Sequence, residues 1–232
     1  MALVAFDLDE TLAPLNGPVQ PAAAEAVVAL QDAGVAVALA SGKPCAYLAG
    51  LARACLRAEA AVLIGENGSD IWLDGIMPAR RLPGVVAAEA VEELARARLA
   101  LEDRFANHVF LQPNAVNVTA FPFPDPGVAP GVLREFVAAL ALPHVVVYEH
   151  RDSIDCVPAG VDKGVALRTV IEAEGIRPEQ TIAIGDGVND IPMFAVAAHS
   201  IGVGRRPEVR AAATHSVDTI HEALELLDAL LP

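Results

Sequence analysis

Two aspartates, Asp7 and Asp9, stand one residue apart at the end of an apolar run, in Phe6-Asp7-Leu8-Asp9-Glu10-Thr11-Leu12. Residues i and i+2 of a strand share a face, so both carboxylates would emerge together where the run ends. Like charges that close resist joint ionisation unless a cation lies between them or one keeps its proton. Mg2+, a hard cation that takes oxygen ligands, would satisfy the pair. The turn-forming Pro14, Asn16, Gly17 and Pro18 that follow place the acids at the carboxyl end of a buried strand, where open alpha/beta sheets bind ligands.

Three further clusters have the same setting. Residues 35–40 form an apolar run that ends in Ser41-Gly42-Lys43-Pro44, Lys163 opens a helical stretch, and residues 181–184 end in Gly185-Asp186-Gly187-Val188-Asn189-Asp190. Together they supply acid ligands for a metal, a nucleophile, a general acid, a hydroxyl donor and a fixed cation, the requirements of metal-assisted phosphoryl transfer to a carboxylate. The lysines reinforce this reading. Of the 16 basic residues only Lys43 and Lys163 are lysine, and both fall at helix starts beside the acids. A chain that uses Arg on its surface and Lys at two such places is using a compact ammonium where a point charge is needed. Blander roles stay open: Ser41 as a helix N-cap, Thr11 as a turn buttress, Asp162 as the cap of the helix begun by Lys163, and Glu66 and Asn67 as an ordinary turn.

The elements that must hold these residues alternate. Strand, helix, strand and helix are expected over residues 3–6, 21–33, 35–40 and 46–57, and a short strand over 62–64. The alternation resumes after residue 162 and runs to a last amphipathic helix over 220–231. Between them a long helix, two strands, a second helix and a strand form an alpha+beta pattern. The expected fold is therefore α/β, a Rossmann-like parallel-sheet core with helices on both faces, built from residues 1–79 and 153–232. An inserted α+β cap occupies residues 80–152, with hinges near residues 74–81 and 151–154.

Composition bounds the partners. Hydrophobic residues make up 54% of 232, enough for a sizeable core, and aromatics only 4%, so Ala, Val, Leu and Ile must fill it. A net charge of −14 argues against nucleic acid or an anionic membrane as partner, since both require a basic face. A small phosphorylated metabolite is compatible, because salt screens the global field beyond about 8 Å and a local cation and lysine would meet it. No apolar stretch approaches a membrane span and no basic, signal-like start is seen, so cytoplasmic residence is the expectation. The sequence fixes no oligomeric state.

Together, DLDETL, the strand ending in Ser41-Gly42, the Val161-Asp162-Lys163-Gly164 step and GDGVND resemble the haloacid dehalogenase superfamily of phosphohydrolases over nearly the whole chain. Gly65-Glu66-Asn67-Gly68 before an insertion looks like its Cof-type branch. The small cap is similar to those of archaeal-type phosphoglycolate, sucrose-phosphate and mannosyl-3-phosphoglycerate phosphatases. The resemblance implies that Asp7 is the nucleophile and that Asp9 protonates the leaving alcohol, then deprotonates the hydrolytic water. It implies Mg2+ held by the Asp7 carboxylate, the Asp9 carbonyl and Asp186, with Asp190 in or next to the ligand set. Ser41, the Gly42 amide, Lys163 and Asn189 would hold the phosphoryl oxygens. Two departures stand out: Glu10 replaces a common Gly, and Lys43 a frequent Arg. A phosphomutase with the same intermediate and a non-catalytic phospho-ligand module are the alternatives; release of inorganic phosphate separates the first from a phosphatase, and the intact Asp7, Asp9, Lys163 and Asp186 set argues against the second.

Overall fold

The computed structural model describes all residues except 16, 58, 60, 77, 78, 84, 126 and 232, so Asn16 of the expected first turn lies outside the described residues. The chain forms two compact units, Met1–Leu82 with Asp162–Pro232, and Pro83–Val161.

The first unit is organised by apolar runs that become strands: β1 (Leu3–Asp7), β2 (Ala36–Ala40), β3 (Ala61–Gly65), β4 (Asp70–Trp72), β9 (Thr181–Gly185), β10 (His199–Val203) and β11 (His215–Val217). They pair in the order β11-β10-β9-β1-β2-β3-β4, parallel throughout except for the antiparallel β3–β4 edge. Leu3, Val4, Ala5 and Phe6 are all fully buried. Both faces of β1 are therefore covered, which is why its sequence is a continuous apolar run rather than an alternating one. Each fully buried Leu or Phe contributes roughly 1.5–3 kcal/mol relative to exposure. On one face Val4, Phe6, Val37 and Leu39 pack with Ala23 and Val27 of helix α1 (Pro21–Asp32), Leu48 and Ala52 of α2 (Cys45–Cys55), and Ala223 and Leu227 of α8 (Ile220–Leu230). Helices α5 (Lys163–Ala173), the single turn α6 (Ile191–Phe194) and α7 (Pro207–Ala212) complete the unit.

Helix ends follow local chemistry. Pro21 opens α1, and Gly34 at φ 82° closes it, with Gly34 N–H donating to Gln31 and Val35 N–H to Leu30. Only glycine adopts that left-handed geometry without cost. The chain is thereby turned directly into β2, and so toward Ser41.

The second unit is antiparallel: β5 (Val109–Leu111), β6 (Val118–Pro122), β7 (Val145–Glu149) and β8 (Ile154–Pro158) in the order β5-β6-β8-β7. Helices α3 (Ala88–Phe105) and α4 (Pro130–Ala138) bury Leu94, Ala97, Leu101, Leu133 and Val137 against Val118, Ala120, Ile154 and Cys156. The boundaries fall later than the sequence reading placed them. Residues 154–158, which begin at the expected hinge, form an inner strand between β6 and β7, so the insertion continues to Val161. Residues 80–82 stay with the first unit, where Leu73 N–H donates to Arg80, Leu82 N–H to Ile71, and Arg81 bonds Asp70. No helix among the described residues is long and apolar enough to cross a membrane.

Candidate active site

Asp7 is the last residue of β1, between β9 and β2, and is 5% exposed. Beyond it the chain turns sharply: Thr11 N–H and Ala13 N–H both donate to the Leu8 carbonyl, and Glu10 N–H donates to Ala13 at 2.6 Å. Thr11 thus buttresses the turn through its backbone, while its buried hydroxyl has no partner among the described residues. Among those residues, the Asp9 carbonyl takes none of the turn's backbone hydrogen bonds. Glu10 sits at φ 64°, which explains why glycine suits this position; here the Glu10 Oε1 accepts from Leu15 N–H at 2.6 Å.

Lys163 is the first residue of α5, whose N-cap Asp162 accepts from Val165 N–H at 2.8 Å. Its side chain is fully buried, and Nζ donates to Asp7 Oδ1 and Asp190 Oδ1, each at 2.6 Å. Gly164 makes that reach possible, because a Cβ there would collide with the Pro192 backbone and push α5 away. Asp190 is held from its other oxygen by Gly187 N–H at 2.9 Å. Both of its oxygens are therefore engaged, and it orients Lys163 and the loop after β9.

The third and fourth clusters meet the same end of the sheet. Ser41, 1% exposed, accepts Lys43 N–H on Oγ at 3.1 Å, and the N-cap position of α2 is Pro44, so Ser41 is no N-cap. Asn67 N–H donates to the Ser41 carbonyl and Glu66 N–H to the Lys43 carbonyl, tying the loops after β2 and β3 together. Glu66 and Asn67 both take φ near +55°, a strained pair of non-glycine residues that those bonds stabilise. Asn189 Nδ2 donates to Asn67 Oδ1 at 3.2 Å, and a Cβ on Gly42 would sit 3.3 Å from the Asn67 amide, so Gly42, Asn67 and Asn189 adjoin. Lys43 Nζ lies 3.7 Å from Asp9 Oδ2.

One oxygen from each of Asp7, Asp186 and Asp190 lies within 4.8 Å of the others. Burial pushes the Asp7 carboxyl up to about 7, with Lys163 opposing and Asp190 and Asp186 adding to the rise. Burial and Asp190 likewise raise Asp186 to about 6, with Arg206 opposing. Burial alone would lower the Lys163 ammonium, but Asp7 and Asp190 outweigh it and raise its pKa. Crowded, desolvated carboxylate oxygens with, among the described residues, only Lys163 buried beside them fit a hard divalent cation. Arg206 was not singled out by sequence; its Nε is 3.5 Å from Asp186 Oδ2. Its only sequence signal is a basic residue just past the carboxyl end of β10.

A parallel sheet that delivers clustered carboxylates and a buried lysine to its carboxyl end defines an α/β enzyme. The haloacid dehalogenase-like hydrolase family model matches residues 4–102 and 132–223, and the chain belongs to that family. It is a phosphatase of the haloacid dehalogenase class. Its similar proteins include a phosphoglycolate phosphatase of Methanoculleus marisnigri, 31% identical over 87% of this chain and 83% of the relative. Another, from Halorubrum lacusprofundi, is 34% identical over 86% and 83%. A haloacid dehalogenase-like hydrolase from Bacteroides thetaiotaomicron has the same fold, with a TM-score of 0.80 at 20% identity over 97% of this chain and 99% of that one.

Proposed function

We propose that the protein is a Mg2+-dependent phosphatase that cleaves a small phosphorylated metabolite, a phosphorylated carboxylic acid such as phosphoglycolate or a sugar phosphate, through an aspartyl phosphate on Asp7. The observation that carries this reading is Lys163, fully buried and bonded to both Asp7 and Asp190 at 2.6 Å. A buried ammonium clamped between carboxylates fixes the nucleophile's orientation and leaves the other Asp7 oxygen for attack.

Asp7 attacks phosphorus, a P–O bond to Asp7 forms, and the bond to the leaving alcohol breaks as Asp9 gives that oxygen its proton. Asp9, now ionised, takes a proton from water, which attacks the same phosphorus and releases inorganic phosphate and the Asp7 carboxylate. Lys163, the Ser41 hydroxyl, the Gly42 N–H and Asn189 hold phosphoryl oxygens through both steps. Asp7, Asp186 and the Asp9 carbonyl would hold Mg2+, with Asp190 behind them. Bound there, the ion supplies charge neutralisation for carboxylate and phosphoryl oxygens. The inserted unit, Pro83–Val161, contributes to the choice of leaving group.

Inorganic phosphate release from p-nitrophenyl phosphate and from phosphoglycolate tests the reading. Asp7→Asn removes the nucleophile and Asp9→Asn the proton shuttle, and each is expected to cost at least about 10²- to 10⁴-fold in kcat. Wild-type-like turnover by Asp7→Asn, or transfer of the phosphoryl group to a second sugar without phosphate release, would overturn it.

A further inference from the structure

The loop after β10 and the helix α7 that follows it carry three arginines with different attachments. Arg205 Nη2 and Arg210 Nη1 each lie 3.0 Å from an oxygen of Asp218, and Arg210 Nη1 also donates to the Gly204 carbonyl at 2.8 Å. Those bonds brace the loop. Arg206 is directed instead at the acid cluster: its Nε stands 3.5 Å from Asp186 Oδ2, and its side chain is 60% exposed. At that separation the guanidinium is held by charge more than by a hydrogen bond, and its fork stays largely open to solvent.

The surrounding charges make this placement informative. Asp9, Glu10 and Asp186 would repel any anionic group that a substrate carried besides its phosphoryl group. Lys163 has no donor left for it, because it is fully buried and its three N–H groups go to Asp7, Asp190 and the phosphoryl group. Lys43 leans on Asp9 from the β2 side. Arg206 stands on the opposite flank, since β10 lies beside β9 and β2 lies on the far side of β1. A planar guanidinium presents two parallel N–H groups, the geometry that a carboxylate accepts.

Building on the phosphatase reading above, we propose that Arg206 is a specificity-determining residue that receives the carboxylate of a phosphorylated hydroxy acid at the rim of the site. A substrate with a neutral leaving group gains nothing from it. The substrate class is thereby narrowed to esters that bear a second anion close to the phosphoryl group.

The test is a ratio, measured on Arg206→Ala and Arg206→Lys after circular dichroism shows that both are folded. The ratio of kcat/KM for phosphoglycolate to that for p-nitrophenyl phosphate is expected to fall about 10- to 100-fold in Arg206→Ala, the span of a charge-assisted hydrogen-bonded contact. Arg206→Lys keeps the charge without the fork and recovers part of the ratio. A binding measurement needs no turnover: 3-phosphonopropionate against propylphosphonate, in Mg2+, is expected to lose the same preference. A ratio within about threefold of wild type in Arg206→Ala overturns the proposal, because a role exerted only through Asp186 would weaken both substrates alike. If the wild type cleaves neither ester, the proposed function fails by itself, and the phosphonate pair still decides the role of Arg206.

Discussion

Lys163 Nζ and Asp7 Oδ1 meet at 2.6 Å although 156 positions separate them, and the lysine side chain is fully buried. Removing one partner of such a pair strands a desolvated charge, which costs about 3–5 kcal/mol. Lys163→Met is therefore expected to lower Tm markedly, and more at about pH 8 than at about pH 5, where the stranded carboxylates can take up protons instead. Lys163→Arg keeps the charge but not the shape: a wide planar fork cannot replace a compact ammonium that is fully buried and held 2.6 Å from both Asp7 and Asp190. Its kcat should fall at least about 10²-fold. Near-wild-type turnover in Lys163→Arg would place the lysine outside the reacting centre.

Much of this arrangement was legible in the sequence because it rests on pattern. A fully buried parallel strand is a continuous apolar run, and polar residues just beyond such runs fall at one edge of the sheet. That logic located Asp7, Asp9, Ser41, Lys163, Asp186, Asn189 and Asp190, which the fold brings to the carboxyl ends of β1, β2 and β9 and the start of α5. It was silent where structure depends on pairing. Ile154-Asp155-Cys156-Val157-Pro158 has a carboxylate at its second position and a proline at its end, so only pairing with β6 and β7 makes it a strand. Asp70-Ile71-Trp72 is too short to show a period and is defined by β3. Arg206 adjoins Arg205 in the sequence, and only the bonds of Arg205 and Arg210 to Asp218 separate their roles.

The cation should announce itself in the pH dependence of stability. Asp7 at about 7 and Asp186 at about 6 lie above the ordinary 3.8 because burial disfavours their charge. A raised carboxyl pKa means that the folded state binds its proton more tightly than the unfolded state. Without a cation, this contribution favours the fold at low pH and is lost as pH rises from about 4 through about 7. Mg2+ needs both groups ionised and offsets the loss. Thermal unfolding should therefore show a small Mg2+-induced rise in Tm at about pH 5 and a larger one at about pH 8, abolished by EDTA. An increment that shrinks with rising pH would exclude Asp7 and Asp186 as ligands.

Glu10 offers a test of the turn itself. Its left-handed backbone costs about 1–2 kcal/mol for an L-residue, and its carboxylate returns part of that by accepting from Leu15 N–H. Glu10→Gly gives up the hydrogen bond but also the strain, and should be close to wild type. Glu10→Ala keeps the strain and loses the bond, so it should be less stable than the glycine variant by about 1 kcal/mol. Urea unfolding midpoints decide the order. An alanine variant at least as stable as the glycine variant would mean that the turn tolerates the residue for another reason.

The late boundary of the insertion makes two deletions unequal. Removing residues 83–161 and bridging with a short flexible linker takes away all four strands of the second sheet, and leaves every strand of the seven-stranded sheet in place. Removing residues 80–152 looks similar in length but cuts differently. It leaves Ile154–Pro158 without β6 and β7, exposing Ile154 and Cys156, which are fully buried, and it deletes Arg81, the partner of Asp70. Unpaired strand edges with apolar side chains invite aggregation. The first deletion is expected to yield a soluble chain with a cooperative urea transition, and the second an aggregating one. Analytical size exclusion and circular dichroism on both would settle the matter: equal behaviour, whether both fold or both fail, would show that residues 154–158 do not belong energetically to the inserted unit.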